Sequence, residues 1–504
     1  MQTDNPILEI DGLPKFDQFH VEHIQPAIEQ VLAENLAEIE RLVSNTQAPT
    51  WENFVEPIEA LSNRLERVWG PVSHLDSVKN SDEWHQAYNA CLEPITDYHA
   101  RLGQHRGLFK KFEALAASTD YAFYSLAQKK VIENALRDFR LSGIDLDADK
   151  QSEYKTISQK LSQLGSQFGN NVLKSTQAWS KHITDESELA GLPETAMGLL
   201  KQYAQQRAEK EGKPYDGWLV TLDFPSYLAV MTHADNRDLR ETVYRAFATR
   251  ASELAEDPSF DNSDNIREIL KLRHQKAQLL GFEHYGELSL ATKMAESTEQ
   301  VTGFIRDLAS KSKQQAEMEL AKLKAFAKTL DPSLADFQPW DVSYCSEKYK
   351  NATLSLSQEA LRPYFPVTKV LSGLFEITET LFGVSVRERT GVPTWHPEVR
   401  FFDLLDDNQQ PVASFYLDLY ARENKRGGAW MDSAISRWQT SNGHQQTPVA
   451  YLVCNFTPPV GEKPACLTHD EVTTLFHEFG HGLHHMLTEM SHFDVSGING
   501  VPWD

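Results

Sequence analysis

The chain has 504 residues, enough for two to four domains around a large core. Its 72 acidic against 49 basic residues give a net charge of −23, which argues against nucleic acid or an anionic membrane surface as a partner. Cys91, Cys345, Cys454 and Cys466 show no C-x-x-C pairing, no basic-then-apolar leader opens the chain, and no run of 18 apolar residues occurs, so a cytoplasmic protein with reduced thiols is expected.

Helix should dominate. Residues 20–47 place Ile24, Ile28, Val31, Leu32, Leu36, Ile39 and Leu42 on one face. A second stripe runs through Ile157, Leu161, Leu164, Phe168 and Val172. Asn236 to about Leu254 reads as a helix with Asp235 or Asn236 as its cap, and 297–329 as another with alternating charge on its exposed face. Clusters of Pro, Gly, Asp and Asn predict loops at 183–193, 211–217, 256–264 and 331–341. Strand signals are few: 218–222, then 399–404, 412–419 and 449–456, with a hairpin turn at 406–409. Gly427 and Gly428 mark a turn, but they open no G-x-G-x-x-G phosphate loop.

A small sheet is therefore laid down just before His477-Glu478-Phe479-Gly480-His481. Residues four apart share one helix face, so His477 and His481 can point their imidazoles at one Zn²⁺. Glu478 projects about 100° round the helix, near enough to reach a water on the metal and act as general base. With 18 histidines in 504 residues, chance yields roughly 0.05 such matches per chain. The context supports a helix: Thr468-His469-Asp470-Glu471 is a capping box, and Val472, Leu475, Phe476, Phe479, Leu483 and Leu487 recur at helical spacing. An edge strand of the preceding sheet could hold substrate backbone by β-addition, or the sheet could only support the helix.

The remaining candidates are weaker. His484 would close the open position that a catalytic zinc needs, so it reads as structural, and Gly is missing from the place a longer H-E-x-x-H-x-x-G-x-x-H pattern requires. His469 and Asp470 suit the helix cap. His20, His23, His74, His85, His99 and His105 have no ligand spacing. Arg422 could pair with Asp418 or bind a peptide carboxylate. A third zinc ligand should be a carboxylate on a separate downstream helix, yet only Glu489, Asp494 and Asp504 follow His481, and none has convincing reach. The third ligand is therefore expected beyond Asp504, in a longer protein.

The chain resembles the thimet-oligopeptidase family of zinc peptidases. The resemblance is carried by residues 477–484, 414–425 and 448–452, and upstream by Trp395-His396-Pro397, Leu361-Arg362-Pro363-Tyr364-Phe365-Pro366, Ala291-Thr292-Lys293-Met294-Ala295 and Pro71-Val72-Ser73-His74-Leu75. It implies a mostly α, two-lobed fold with a deep central channel and a small β-sheet beside the catalytic helix. It makes His477 and His481 zinc ligands and Glu478 the base, with one zinc per chain. It places the third ligand, a Glu, in a D-x-x-E-x-P-S-Q stretch of which residues 500–504 look like the start, and the family's substrate-binding Tyr and His later still. Cys345 departs from the family's usual Tyr.

The expected organisation is an N-terminal helical region over 1–150, a channel-lining helical region over 151–395 and an incomplete zinc domain over 396–504. The expected function is hydrolysis of short unstructured oligopeptides by zinc-activated water, in a monomer. The alternatives are a dipeptidyl carboxypeptidase of the same fold or a non-catalytic peptide-binding scaffold. The 504-residue form is expected to be inactive.

Overall fold

The first apolar stripe forms helix α1 (Val21–Ser44), which buries Ile24, Ile28, Val31, Leu32, Ile39 and Leu42. In the computed structural model, which describes residues 5–461 and 464–502, four more helices complete this region: α2 (Glu56–Val78), α3 (Asp82–Gly103), α4 (Arg106–Ala116) and α5 (Leu126–Leu141). The second stripe lies on α6 (Ala148–Ala178), with Ile157 and Leu164 buried and Phe168 left exposed. Strand β1 (Ser180–Ile183) pairs antiparallel with β2 (Trp218–Thr221), and α7 (Glu194–Glu211) connects them.

Helices α8 (Phe224–His233) and α9 (Arg237–Ala248) follow. Asn236 caps α9 by accepting from Leu239 N, as its position suggested. The helix stops at Ala248, short of the expected Leu254. Ala251 N turns back to Ser175 Oγ on α6 (3.0 Å), and Ala251 sits at φ 50°, outside helical geometry. Next come α10 (Ser263–Leu279), α11 (Tyr285–Leu290) and α12 (Thr298–Leu330), the last exposed over nearly its whole length, then α13 (Val342–Leu354), α14 (Gln358–Leu361) and α15 (Val367–Phe382). Helix α10 starts inside the loop expected at 256–264, and three of the expected loops hold 3-10 turns: Glu186–Leu189, Pro258–Phe260 and, in 331–341, Pro332–Ala335 with Pro339–Asp341. No described helix is long and apolar enough to cross a membrane.

The larger sheet contains β3 (Ser385–Glu388), β4 (Arg400–Leu405), β5 (Pro411–Tyr420), β6 (Trp430–Ile435) and, after the small ladder of β7 (Trp438–Gln439) with β8 (Gln445–Gln446), β9 (Val449–Phe456). Its order is β3-β4-β5-β9-β6, parallel only between β5 and β9. Alternation along β5 and β9 splits the core in two. Tyr416, Tyr451 and Val453 face the α1–α5 cluster, whereas Phe415, Leu417, Leu452 and Cys454 face α15 and the last helix, α16 (His469–Met486). A separate cluster joins β1, β2, α7, α8 and α9 through Ile183, Leu200, Val220, Val230 and Val243.

Candidate active site

Thr468 Oγ1 accepts from Glu471 N (3.1 Å) while Glu471 Oε2 accepts from Thr468 N (2.8 Å), so the capping box forms and fixes the start of α16. One face of the helix then buries Leu475, Phe479, Gly482 and Met486. The Phe479 ring meets Phe415 edge-on at 5.5 Å. A Cβ at Gly482 would stand 3.0 Å from Leu452 Cδ2, so glycine sets the close approach of helix to sheet. This packing turns His477 and His481 away from the sheet, His477 exposed and His481 half-buried.

Their Nε2 atoms lie 3.2 Å apart, with the rings perpendicular at 90°. Two nitrogens each ~2.0–2.1 Å from a tetrahedral zinc would be about 3.3 Å apart, so the pair fits two corners of such a site. Glu478 is only 8% exposed and has no hydrogen-bond or ion-pair partner among the described residues. Its carboxylate oxygens are not among the side-chain atoms shut off from solvent, so the acid stays accessible to a water on the histidine side of the helix.

The described residues hold no group of three side chains able to bind a metal. Glu489 is exposed beyond the end of α16. Asp494 lies against α2, its N–H facing Glu59 Oε1 at 3.4 Å, and burial followed by the charge of Asp138 pushes its carboxyl up to about 6. Asp504, with Trp503, falls outside the described residues. His484 is exposed, and the fully buried His485 meets Ile435 O through Nε2 at 3.0 Å. The other histidines gather no ligand set among the described residues: His20 and His23 lie side by side at the start of α1 (ring centres 5.4 Å apart), His74 stacks on Tyr451 at 3.7 Å, His85 meets Asp76, and His105 caps α4. Cys345 is fully buried where α13 packs on Ala327 of α12 and Leu334 of the turn that follows it.

Sequence reasoning missed β6, the edge strand nearest the helix. Its one strand partner is β9, leaving the other side open among the described strands. It is introduced by Gly428, whose φ of 96° disfavours any side chain, and Asn455 Nδ2 ties the turn to β9 by donating to Arg426 O (2.9 Å) and Gly428 O (2.6 Å). A cavity of about 500 Å³ lies here, walled by α7, α8 and α13 on one side and by β9 and the first turns of α16 on the other. A second, of about 640 Å³, shares Phe224, Gly428 and Asn455 with it, so the two form one cleft.

Behind the turn, Arg422 is absorbed in a buried ion pair. Its Nη1 and Nη2 donate to Asp418 Oδ1 and Oδ2 (2.6 and 2.7 Å), and Nη2 also reaches Val78 O on α2. Lys425 Nζ lies 2.8 Å from Asp418 Oδ1 and bonds the carbonyls of Tyr420 and Cys454, while Trp395 Nε1 donates to Asp418 Oδ2. Burial alone would raise the Asp418 carboxyl, but Arg422 and Lys425 outweigh it and hold it at about 2. Asp418→Ala should therefore lower the unfolding free energy by about 3–5 kcal/mol, because it strands a fully buried ammonium. Urea unfolding would measure this, and a loss below about 1 kcal/mol would mean that Lys425 finds other compensation.

Residues 230–504 match the model of peptidase family M3, and residues 27–151 that of the neurolysin/thimet oligopeptidase N-terminal domain. The chain belongs to peptidase family M3. Among its M3 relatives, oligopeptidase A of Haemophilus influenzae is 53% identical over all of this chain and 73% of its own length. Oligopeptidase A of Escherichia coli K12 is 51% identical over 99% of this chain and 73% of its own. Dipeptidyl carboxypeptidase of Escherichia coli K12 is 29% identical over 99% and 72%. A solved structure of a putative oligoendopeptidase F from Bacillus anthracis aligns over 91% of this M3 chain and 65% of its own, at 14% identity and a TM-score of 0.45.

Proposed function

We propose that this M3 chain carries the zinc-binding histidines and the general base of an endopeptidase acting on short, unstructured peptides. The observation that carries the reading is the 3.2 Å convergence of His477 and His481 Nε2 beside the unpartnered Glu478, further along the helix whose first turns, to Thr474, wall the cleft. His477 and His481 would hold zinc, with a Glu from beyond Asp504 as third ligand. Zinc, when bound, lowers the pKa of water to ~7 and polarises the scissile carbonyl. Glu478 takes the proton from the attacking water and passes it to the leaving amine. The open side of β6 can align the peptide backbone by strand addition, and the restriction to short, extended chains rests on the likeness to the oligopeptidases.

The test uses the protein extended to the length of its relatives. Unstructured peptides of about ten residues should be cut, including one with an amidated C-terminus, while denatured casein should survive. Digestion of casein would remove the size restriction, and failure on the amidated peptide alone would favour the dipeptidyl carboxypeptidase mode.

A further inference from the structure

The cavity beyond Gly428 is basic, in a chain whose net charge is −23. Arg207, Lys210, Arg250, Arg422, Lys425 and Arg426 line it, against the carboxylates of Asp223, Glu398 and Glu423. Four of these cations are engaged: Arg207 with Glu211, Lys210 with Glu423, and both Arg422 and Lys425 with Asp418. Arg250 and Arg426 have no ion-pair partner among the described residues. An arginine without a partner is ordinarily just solvated, but these two are held in place. The Arg250 guanidinium lies 3.6 Å over the Phe247 ring, Nε donates to Phe247 O (2.9 Å) and Nη1 to Thr176 Oγ1 (3.0 Å). Its Nη2 keeps both hydrogens available. Arg426 stacks 4.3 Å over Trp430, the first residue of edge strand β6, and its side chain makes no hydrogen bond. Asp432 acts on Arg426 only at a distance.

We propose that this cavity binds a carboxylate of the substrate peptide through Arg250 and Arg426. The inference rests on the peptidase reading, because Gly428 links the cavity to the edge strand where a peptide backbone would lie. A guanidinium matches a carboxylate with paired N–H donors, and stacking on an aromatic ring fixes its plane before the ligand arrives. The carboxylate can come from an Asp or Glu side chain or from the peptide's C-terminus, and the chemistry at the arginines is the same.

Binding separates this inference from turnover. Three peptides of about ten residues, each with a neutral fluorophore, are titrated with the 504-residue chain by anisotropy at low salt: a neutral amidated peptide, the same peptide with a free C-terminus, and the amidated peptide with one Gln changed to Glu. At least one acidic peptide should bind about tenfold tighter than the neutral one, and the advantage should shrink as salt rises. An advantage confined to the free C-terminus assigns the site to the peptide end; one confined to the Glu peptide assigns it to a side chain. Arg250→Gln with Arg426→Gln should reduce the advantage below about twofold, while Lys at both positions should restore part of it. Equal affinities, no binding by any peptide, or a preference that survives the double Gln variant would overturn the proposal. Failure of turnover in the protein extended to the length of its relatives, with the binding preference of the 504-residue chain intact, would instead count against the zinc peptidase reading alone.

Discussion

In the protein extended to the length of its relatives, Glu478→Gln should lower kcat by about 10²–10⁴ and leave zinc at one per chain. Gln is nearly isosteric with Glu, and the residue is not among the proposed ligands, so the metal should stay. The lost proton transfer is what the rate reports. The structure adds a second expectation. Glu478 has no hydrogen-bond or ion-pair partner among the described residues, so the neutral amide breaks no contact and should be tolerated at least as well as the carboxylate. The thermal midpoint of the variant should equal or exceed that of the parent. Near-normal kcat with full zinc would remove Glu478 from the mechanism. A collapse of both stability and activity would show instead that the carboxylate holds the fold.

Much of this site was legible because its logic is local. His477 and His481 lie one helical turn apart, and the capping box that starts their helix spans only Thr468 to Glu471. Likewise β4, β5 and β9 are runs rich in β-branched and aromatic residues, and their hydrophobic pattern is strong enough to override context. Strand β6 was not legible. Trp430-Met431-Asp432-Ser433-Ala434-Ile435 follows two glycines and has no clean alternation, so its extended form is imposed by pairing with β9. The end of α9 was misplaced for a related reason, since the bond from Ala251 to Ser175 spans 76 residues. The basic cavity depends on residues scattered from 169 to 458, and no spacing in the sequence brings Arg250 and Arg426 to one cavity. Only the engagement of Arg422 by Asp418, four residues away, could be anticipated from the chain itself.

The 504-residue chain should hold zinc weakly and show no appreciable peptidase activity, whereas a form continued through the expected Glu ligand should show both. Two imidazoles supply the only clear donors among the described residues. A site of two neutral nitrogens and water lacks the anionic ligand that offsets the ion's charge and fixes its geometry. Donors that stabilise the developing oxyanion are each worth roughly 2.7–4 kcal/mol, and the family resemblance puts the candidates, the substrate-binding Tyr and His, in a later stretch. Tight zinc binding and turnover should therefore fail together in the shorter form and return together in the longer one. Both forms would be dialysed side by side against micromolar zinc, assayed for metal per chain, and given one quenched fluorescent peptide. Stoichiometric zinc with full turnover in the shorter form would require Glu489, Asp494 or Asp504 as the third ligand. For Asp494 that would mean leaving its place beside Glu59 on α2, so tight binding should then be accompanied by a change in the packing of that region, readable from the fluorescence of Trp438 and Trp51 nearby.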